Sequence, residues 1–175
     1  MRYKPFLACF LQKDRRHLFN TNVMANWQLD NITLIKGGAG AKNSLMTGRT
    51  GQNEIDEGYN IRRKNVLYTP STKFCIKIYS LASILNKIKK NNALVLKLDA
   101  EGAEYDIITE ANAELLKKFE QIIIEYHYGL KGMVSLLRKS GFQVRYTKPM
   151  RDYNLKYDEF TELGFIFAEK QTHPK

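Results

Sequence analysis

The chain has 175 residues, with an apolar fraction of 43% and a charged fraction of 26%, values typical of a single soluble globular domain with room for one site. The sequence excludes a transmembrane helix, because no apolar run is long enough, and a disulfide framework, because Cys9 and Cys75 are the only cysteines. We interpret both as packing thiols of a cytoplasmic protein. The net charge of +10 leaves a basic nucleic-acid-binding protein as an alternative, although the basic residues are scattered over separate segments.

The first third of the chain contains few sustained patterns. Over Met1 to Trp27, apolar residues recur at intervals of three, four or seven, which predicts a helix with one buried face. Ile32 to Ile35 is a β-branched run that predicts a strand, and Gly37-Gly38 then predicts a loop that approaches another segment closely. The polar segment 41–73 predicts a loop or hairpin insertion, with a lid over a pocket and a disordered insertion as equal alternatives.

The middle of the chain alternates between strand and helix patterns. Phe74 to Tyr79 alternates with a period of two and predicts a strand, and Leu81 to Ile88 has the spacing of a helix with one apolar stripe. Ala93 to Leu98 is almost continuously apolar, which predicts a strand covered on both faces. That strand stops at Asp99 and leads through a glycine turn into a helix from about Ala103 to Glu110.

The same alternation continues to the end of the chain. It predicts a strand over Gln121 to Glu125, a helix near Met133 that stops at Gly141, a final hairpin-like pair at Phe142 to Tyr146 and Gly164 to Ala168, and a loop over Lys148 to Glu162. The order of elements favours an α/β fold, a mostly parallel sheet with helices on both faces, in one domain over residues 1–175.

Potential acid, base and ligand groups follow two of these strands. Asp99, Glu101 and Glu104 come after one strand, and Glu125 and His127 end the next. Because parallel strands present their carboxyl ends at one edge, we expect these side chains to converge around one crevice. Two alternatives remain at this stage: Asp99 as a helix cap, and a divalent cation held by the carboxylates and His127 in a metal-dependent hydrolase or phosphoryl-transfer enzyme.

The stretch Leu-Lys-Leu-Asp-Ala-Glu-Gly-Ala-Glu104 resembles the "K-I-D-x-E-G-x-E" signature of FkbM-type, S-adenosylmethionine-dependent methyltransferases. Gln121 to His127 is similar to that family's next strand, which ends in Glu-x-His, and Leu136 to Phe142 to its helix that ends in Gly-aromatic. The resemblance implies a Rossmann-like methyltransferase fold and S-adenosylmethionine as the cofactor. It also implies methyl transfer to a small-molecule or sugar hydroxyl, and no bound metal.

The resemblance also suggests roles for the candidate residues. It implies that Asp99 lies beside the methionine part of the cofactor and that Gly38 and Ala39 border the adenine. His127 is then the natural general base, since a neutral imidazole can accept a hydroxyl proton near physiological pH. Glu125 is expected to orient the imidazole or bind substrate, with Glu101 as a further catalytic candidate, whereas a structural hydrogen bond is the alternative for His127.

Two departures from the family pattern affect cofactor binding. Tyr3-Lys4-Pro5 resembles the end of the family's second strand, but Lys4 stands where the ribose-binding carboxylate should be. We also expect the family's first strand and glycine-rich loop to be missing, so that the domain is truncated and binds S-adenosylmethionine poorly. The alternative function is therefore a non-enzymatic methyltransferase remnant that binds a partner, and an oligomer or partner chain is expected to cover the exposed sheet edge.

Overall fold

The computed structural model describes residues 6–10, 32–51, 70–88, 93–100, 102–154 and 159–171. These ranges form strands and short helices that alternate along the second half of the chain. The strands are β1 (Phe6–Phe10), β2 (Ile32–Lys36), β3 (Gly38–Gly40), β4 (Ser44–Gly51), β5 (Pro70–Ser80), β6 (Leu94–Leu98), β7 (Phe119–Tyr126), β8 (Phe142–Tyr146), β9 (Met150–Asn154) and β10 (Glu159–Lys170). The helices are α1 (Leu81–Leu85), α2 (Glu104–Glu110), α3 (Ala113–Leu116) and α4 (Met133–Lys139).

The largest sheet has the strand order β6-β7-β10-β8, with β9 paired to the first half of β10. The β6 and β7 strands are parallel, whereas β10 is antiparallel to β7, β8 and β9. Two smaller sheets contain the parallel pair β1-β2 and the order β3-β5-β4. The pairing of β8 with β10 confirms the predicted final hairpin-like pair.

The main core lies between this sheet and the helices that follow β6 and β7. Ile108 of α2, Leu116 of α3 and Leu137 of α4 are fully buried together with Ile122 and Ile124 of β7. Each such side chain contributes on the order of 1.5–3 kcal/mol through removal of its surface from water. The predicted helix after Asp99 and the helix that stops at Gly141 are confirmed, and Gly141 has the positive φ of 90° that favours glycine after a helix.

The sequence-based expectation that β6 is buried on both faces is wrong for the residues that the structure describes. Leu98 is buried, but Val95 is 47% exposed and Lys97 is exposed as well. Successive strand residues point to opposite faces, and the described helices cover only one of them. Phe165 and Phe167 of β10 are partly exposed on the same sheet.

Four further sequence-based predictions need correction. Phe6–Phe10 is a strand and not part of a helix, because five consecutive apolar residues pair in parallel with β2; the remainder of that predicted helix lies outside the described residues. Gly38 belongs to strand β3 instead of a loop, because it pairs with β5. The predicted loop over Lys148 to Glu162 contains β9 and the start of β10. Cys75 is exposed and is not a packing thiol, because it lies on the outer side of the alternating strand β5.

The polar segment 41–73 contributes strands to the small sheet. Within it, β4 pairs antiparallel with β5 over most of its length, and residues 52–69 lie outside the described part of the chain. The helix after β5 begins at the N-cap Ser80, whose side chain accepts a hydrogen bond from the Ser83 N–H. It ends at Leu85, before the predicted end at Ile88.

Candidate active site

The candidate site lies where the parallel strands β6 and β7 end. Leu98 is in register with Ile124, so Asp99 emerges at the same sheet edge as the end of β7. Three side chains meet there, those of Asp99, Glu125 and His127. Each has one nitrogen or oxygen atom within 4.8 Å of the corresponding atoms of the other two. The convergence predicted from the strand pattern is therefore observed for these three residues, whereas Glu101 lies outside the described residues.

His127 lies between two carboxylates. Its Nε2 is 4.0 Å from Oδ1 of Asp99, and its Nδ1 is 3.2 Å from Oε1 of Glu104. The side chain of His127 is 11% exposed, that of Asp99 is 38% exposed and that of Glu104 is fully buried. The imidazole therefore has one nitrogen turned toward the interior and the other toward a carboxylate that solvent reaches.

Glu104 forms the inner wall of the site. Its Oε1 accepts a hydrogen bond from the Ala100 N–H at 2.6 Å, and its Oε2 accepts one from the Gly102 N–H at 2.8 Å. Gly102 has a φ of 98°, which a residue with a side chain rarely adopts, so glycine permits the turn that aims these N–H groups at the carboxylate. A buried carboxylate is tolerated because it accepts hydrogen bonds and faces an imidazole.

Tyr105 fixes the backbone that follows His127. Its hydroxyl donates to the Gly129 carbonyl at 2.6 Å and accepts from the Tyr128 N–H at 2.8 Å. From the other side, the Glu162 N–H of β10 donates to the His127 carbonyl at 3.1 Å, and the Gly129 N–H donates to the Glu162 carbonyl at 3.0 Å. The segment that carries His127 is thus held by both α2 and β10.

The partly exposed side chains of the site carry charges of both signs. Lys97 Nζ lies 3.6 Å from Oδ2 of Asp99, and both side chains are partly exposed. Asp99, Glu125 and His127 are the described residues whose donor atoms are close enough to be considered for a metal ion. Lys97 already gives Asp99 a cationic neighbour, which lessens the need for a metal there.

The other predicted cofactor residues lie on β3. Gly38 is buried and Ala39 is half-buried, and both pair in parallel with β5. Ala39 packs against the main hydrophobic core. A Cβ on the preceding Gly37 would lie 2.5 Å from the Lys77 carbonyl oxygen, which accounts for the close approach that the glycine pair predicts.

Tyr105 was not predicted as a site residue from the sequence. Glu104 was expected to gather with Asp99 and Glu101 where β6 ends, but it was given no catalytic or binding role. The sequence does contain a signal for the role of Glu104. A glycine turn directly before a helix leaves N–H groups that need an acceptor, and an acid in the first helical turn can supply one. For Tyr105 the sequence contains no comparable signal, since its two partners are more than 20 positions away.

The methyltransferase FkbM domain model matches residues 10–146, and this range contains the two strand ends, Glu104 and His127. The chain belongs to the FkbM methyltransferase domain family. The expected α/β, Rossmann-like methyltransferase class is thereby confirmed for this FkbM domain.

A search of solved structures found a similarity to the precorrin-6y C5,15-methyltransferase from Geobacter metallireducens GS-15. The two share 12% identity, with a TM-score of 0.47 and coverage of 95% of this chain and 68% of that one, a likeness too distant to bear on function. A search of curated proteins found no significant match to this chain. In the described part of the chain, none of the helices is long and apolar enough to cross a membrane.

Proposed function

We propose that this FkbM domain transfers a methyl group from S-adenosylmethionine to a hydroxyl group of a small molecule or sugar, with His127 as the general base. The observation that carries the proposal is the arrangement of His127 between a buried carboxylate and the partly exposed Asp99. S-adenosylmethionine, when bound, supplies the methyl group as an electrophile on a positively charged sulfur. Membership of the family supports methyl transfer as the reaction class.

The charges of the site are compatible with this cofactor. Asp99 and Glu125 place two carboxylates at the carboxyl edge of the sheet, and carboxylates favour a ligand that carries a sulfonium and an ammonium group. Asp99 is the residue that we assign to the ammonium end, as the family resemblance implies. Gly38 and Ala39 are assigned to the adenine side on the same ground.

In the proposed reaction His127 accepts the proton of the acceptor hydroxyl as its oxygen attacks the methyl carbon. Nε2 is the nitrogen suited to this role, because Nδ1 is turned toward Glu104 in the interior. General-base catalysis of this kind accelerates a reaction by a factor of about 10²–10⁴. Glu125 has a carboxylate oxygen within 4.8 Å of the donor atoms of Asp99 and His127, and we propose that it orients the acceptor.

The proposal is tested by calorimetric titration with S-adenosylhomocysteine, the product form of the cofactor. Asp99→Asn should weaken binding at least about tenfold, since it removes an ionic partner worth more than 1 kcal/mol. Asp152→Asn, on the exposed strand β9, is the matched control and should leave affinity unchanged. Equal affinities of the Asp99 variant and the unsubstituted chain would contradict the assignment of Asp99.

We also propose that cofactor affinity is low, because the family resemblance aligns Lys4, which lies outside the described residues, with a ribose-binding carboxylate. Lys4→Glu should then strengthen binding of S-adenosylhomocysteine, whereas Lys13→Glu, the same change of charge nearby in sequence, should not. The two cysteines are in keeping with a reducing, cytoplasmic location, which we propose for the protein.

A second candidate function follows from the donor set at the same edge. Asp99, Glu125 and His127 could take part in metal-dependent hydrolysis if a hard divalent cation bound there. Membership of the FkbM methyltransferase domain family is the reason that methyl transfer stands first. Elemental analysis that found stoichiometric metal in the purified protein, lost in Asp99→Ala, would favour the hydrolase.

A further inference from the structure

We infer that Glu104 is a positioning residue that holds the proton of neutral His127 on Nδ1 and so leaves Nε2 free of a proton to act as the base. The inference rests on the proposed function for its catalytic meaning, but its structural content concerns only the imidazole and the buried carboxylate. The family match and the sequence signature identify the segment, and neither assigns this role to Glu104.

The contact between His127 and Glu104 favours one protonation state of the imidazole. Nδ1 of His127 lies 3.2 Å from Oε1 of Glu104, whose side chain is fully buried. An ionised carboxylate only accepts hydrogen bonds, so an unprotonated Nδ1 would place two electron-rich atoms 3.2 Å apart in a water-poor setting. A proton on Nδ1 replaces this repulsion with an electrostatic attraction between the N–H group and the carboxylate.

Backbone hydrogen bonds hold the Glu104 carboxylate toward His127. Both of its oxygens already accept backbone N–H groups, from Ala100 and from Gly102. Rotation of the carboxylate would break these contacts and leave buried donors unsatisfied, at about 1–3 kcal/mol for each. The turn after β6 thus holds the carboxylate in place, and the carboxylate in turn selects the tautomer and orientation of the imidazole.

The opposite side of the imidazole ring has a more distant carboxylate. Nε2 faces Asp99 Oδ1 at 4.0 Å, beyond hydrogen-bonding distance, and Asp99 also has Lys97 beside it. Asp99 is therefore a weaker competitor for the imidazole proton than Glu104. When Nε2 accepts a substrate proton, the resulting imidazolium lies against the Glu104 carboxylate, which stabilises its positive charge.

The test is the tautomer of neutral His127, measured by ¹⁵N NMR of the imidazole in the full chain. The sequence has three histidines, His17, His127 and His173, so the signals are few, and His127→Gln assigns the relevant one. We expect most of the neutral His127 to carry its proton on Nδ1. A ring that carries it mainly on Nε2 would overturn the inference without any variant of Glu104.

Two variants separate positioning from simple structural support. Glu104→Ala removes the acceptor and should reduce the Nδ1-protonated form to a minority. Glu104→Gln should retain it, because a Gln oxygen placed at the Oε1 position keeps the contacts to both Ala100 and His127 and loses only that to Gly102. Retention of the Nδ1 proton in a folded Glu104→Ala variant would overturn the inference, and so would its loss in Glu104→Gln.

Glu110→Ala is the matched control, since Glu110 ends the same helix and pairs with Lys42 at the surface. It should leave the His127 signals unchanged, and a change as large as that of Glu104→Ala would overturn the inference. The outcome does not depend on cofactor binding or turnover. A failure of the proposed methyl transfer is therefore distinguishable from a failure of the inference about Glu104.

Discussion

Tyr105→Phe removes one hydroxyl that makes two hydrogen bonds, one buried and one partly buried, and leaves the packing of the ring in place. The hydroxyl donates to the Gly129 carbonyl and accepts from the Tyr128 N–H, so that α2 is tied to the segment after His127. Each lost hydrogen bond with its buried polar partner accounts for about 1–2 kcal/mol. We therefore expect the free energy of unfolding to fall by about 3 kcal/mol.

Chemical denaturation measures this loss directly, and thermal unfolding gives a second estimate. For a domain of this size, about 3 kcal/mol corresponds to a fall in Tm of about 6–12 °C. Hydrogen exchange of the Tyr128 amide should also become faster, because its acceptor is gone.

The matched control is Tyr146→Phe, which removes the same hydroxyl from a ring that is 47% exposed on β8. It should change the free energy of unfolding by no more than about 0.5 kcal/mol. If Tyr105→Phe lowered the free energy of unfolding by less than about 1 kcal/mol, the segment that carries His127 would not be held as the structure indicates.

Three other predictions concern packing, pH and charge. Gly164→Ala should destabilise by about 1–3 kcal/mol, because the new Cβ would overlap the Tyr126 hydroxyl and lie 2.5 Å from Tyr126 Cζ; addition of Tyr126→Phe should relieve part of the loss in a double-mutant cycle of denaturation midpoints. Burial raises the pKa of Tyr126, and the side chain of Thr147 partly offsets this rise. Because the unfolded tyrosine ionises first, the contribution of Tyr126 to the free energy of unfolding is complete below about pH 10 and should be lost above it, so that the fall in stability is smaller in Tyr126→Phe. Binding to RNA or DNA, followed by fluorescence anisotropy, should be weak and mostly abolished between about 50 and 200 mM salt, and tight binding that persists in salt would contradict the assignment of the basic residues to solvated surface.

The second half of the fold was predictable because its signals are local. Patterns a few residues long predict three of its features: the strand before Asp99, the glycine turn after it, and the helix that stops at Gly141. Parallel pairing of β6 with β7 then places Asp99 and His127 together, as the rule for strand ends requires.

The remaining features depend on distant contacts that a single sequence does not reveal. The spacing of apolar residues near Phe6–Phe10 imitates a helix, and only the parallel partner β2 decides for a strand. Val95 is apolar yet exposed, because burial depends on which elements cover each face of the sheet. The role of Glu104 emerges only when the turn closes around its carboxylate and His127 packs against it.

The central claim is that His127 is the base of a methyl transfer from S-adenosylmethionine, and the most direct measurement is the rate of that transfer. Methyl-labelled S-adenosylmethionine is incubated with the protein and a panel of sugar and small-molecule alcohols, for the unsubstituted chain and for His127→Gln. The account predicts transfer to at least one alcohol, with a rate at least about 10²-fold lower in His127→Gln and an unchanged affinity for S-adenosylhomocysteine. Equal rates in the two proteins, or no transfer to any alcohol, would contradict it.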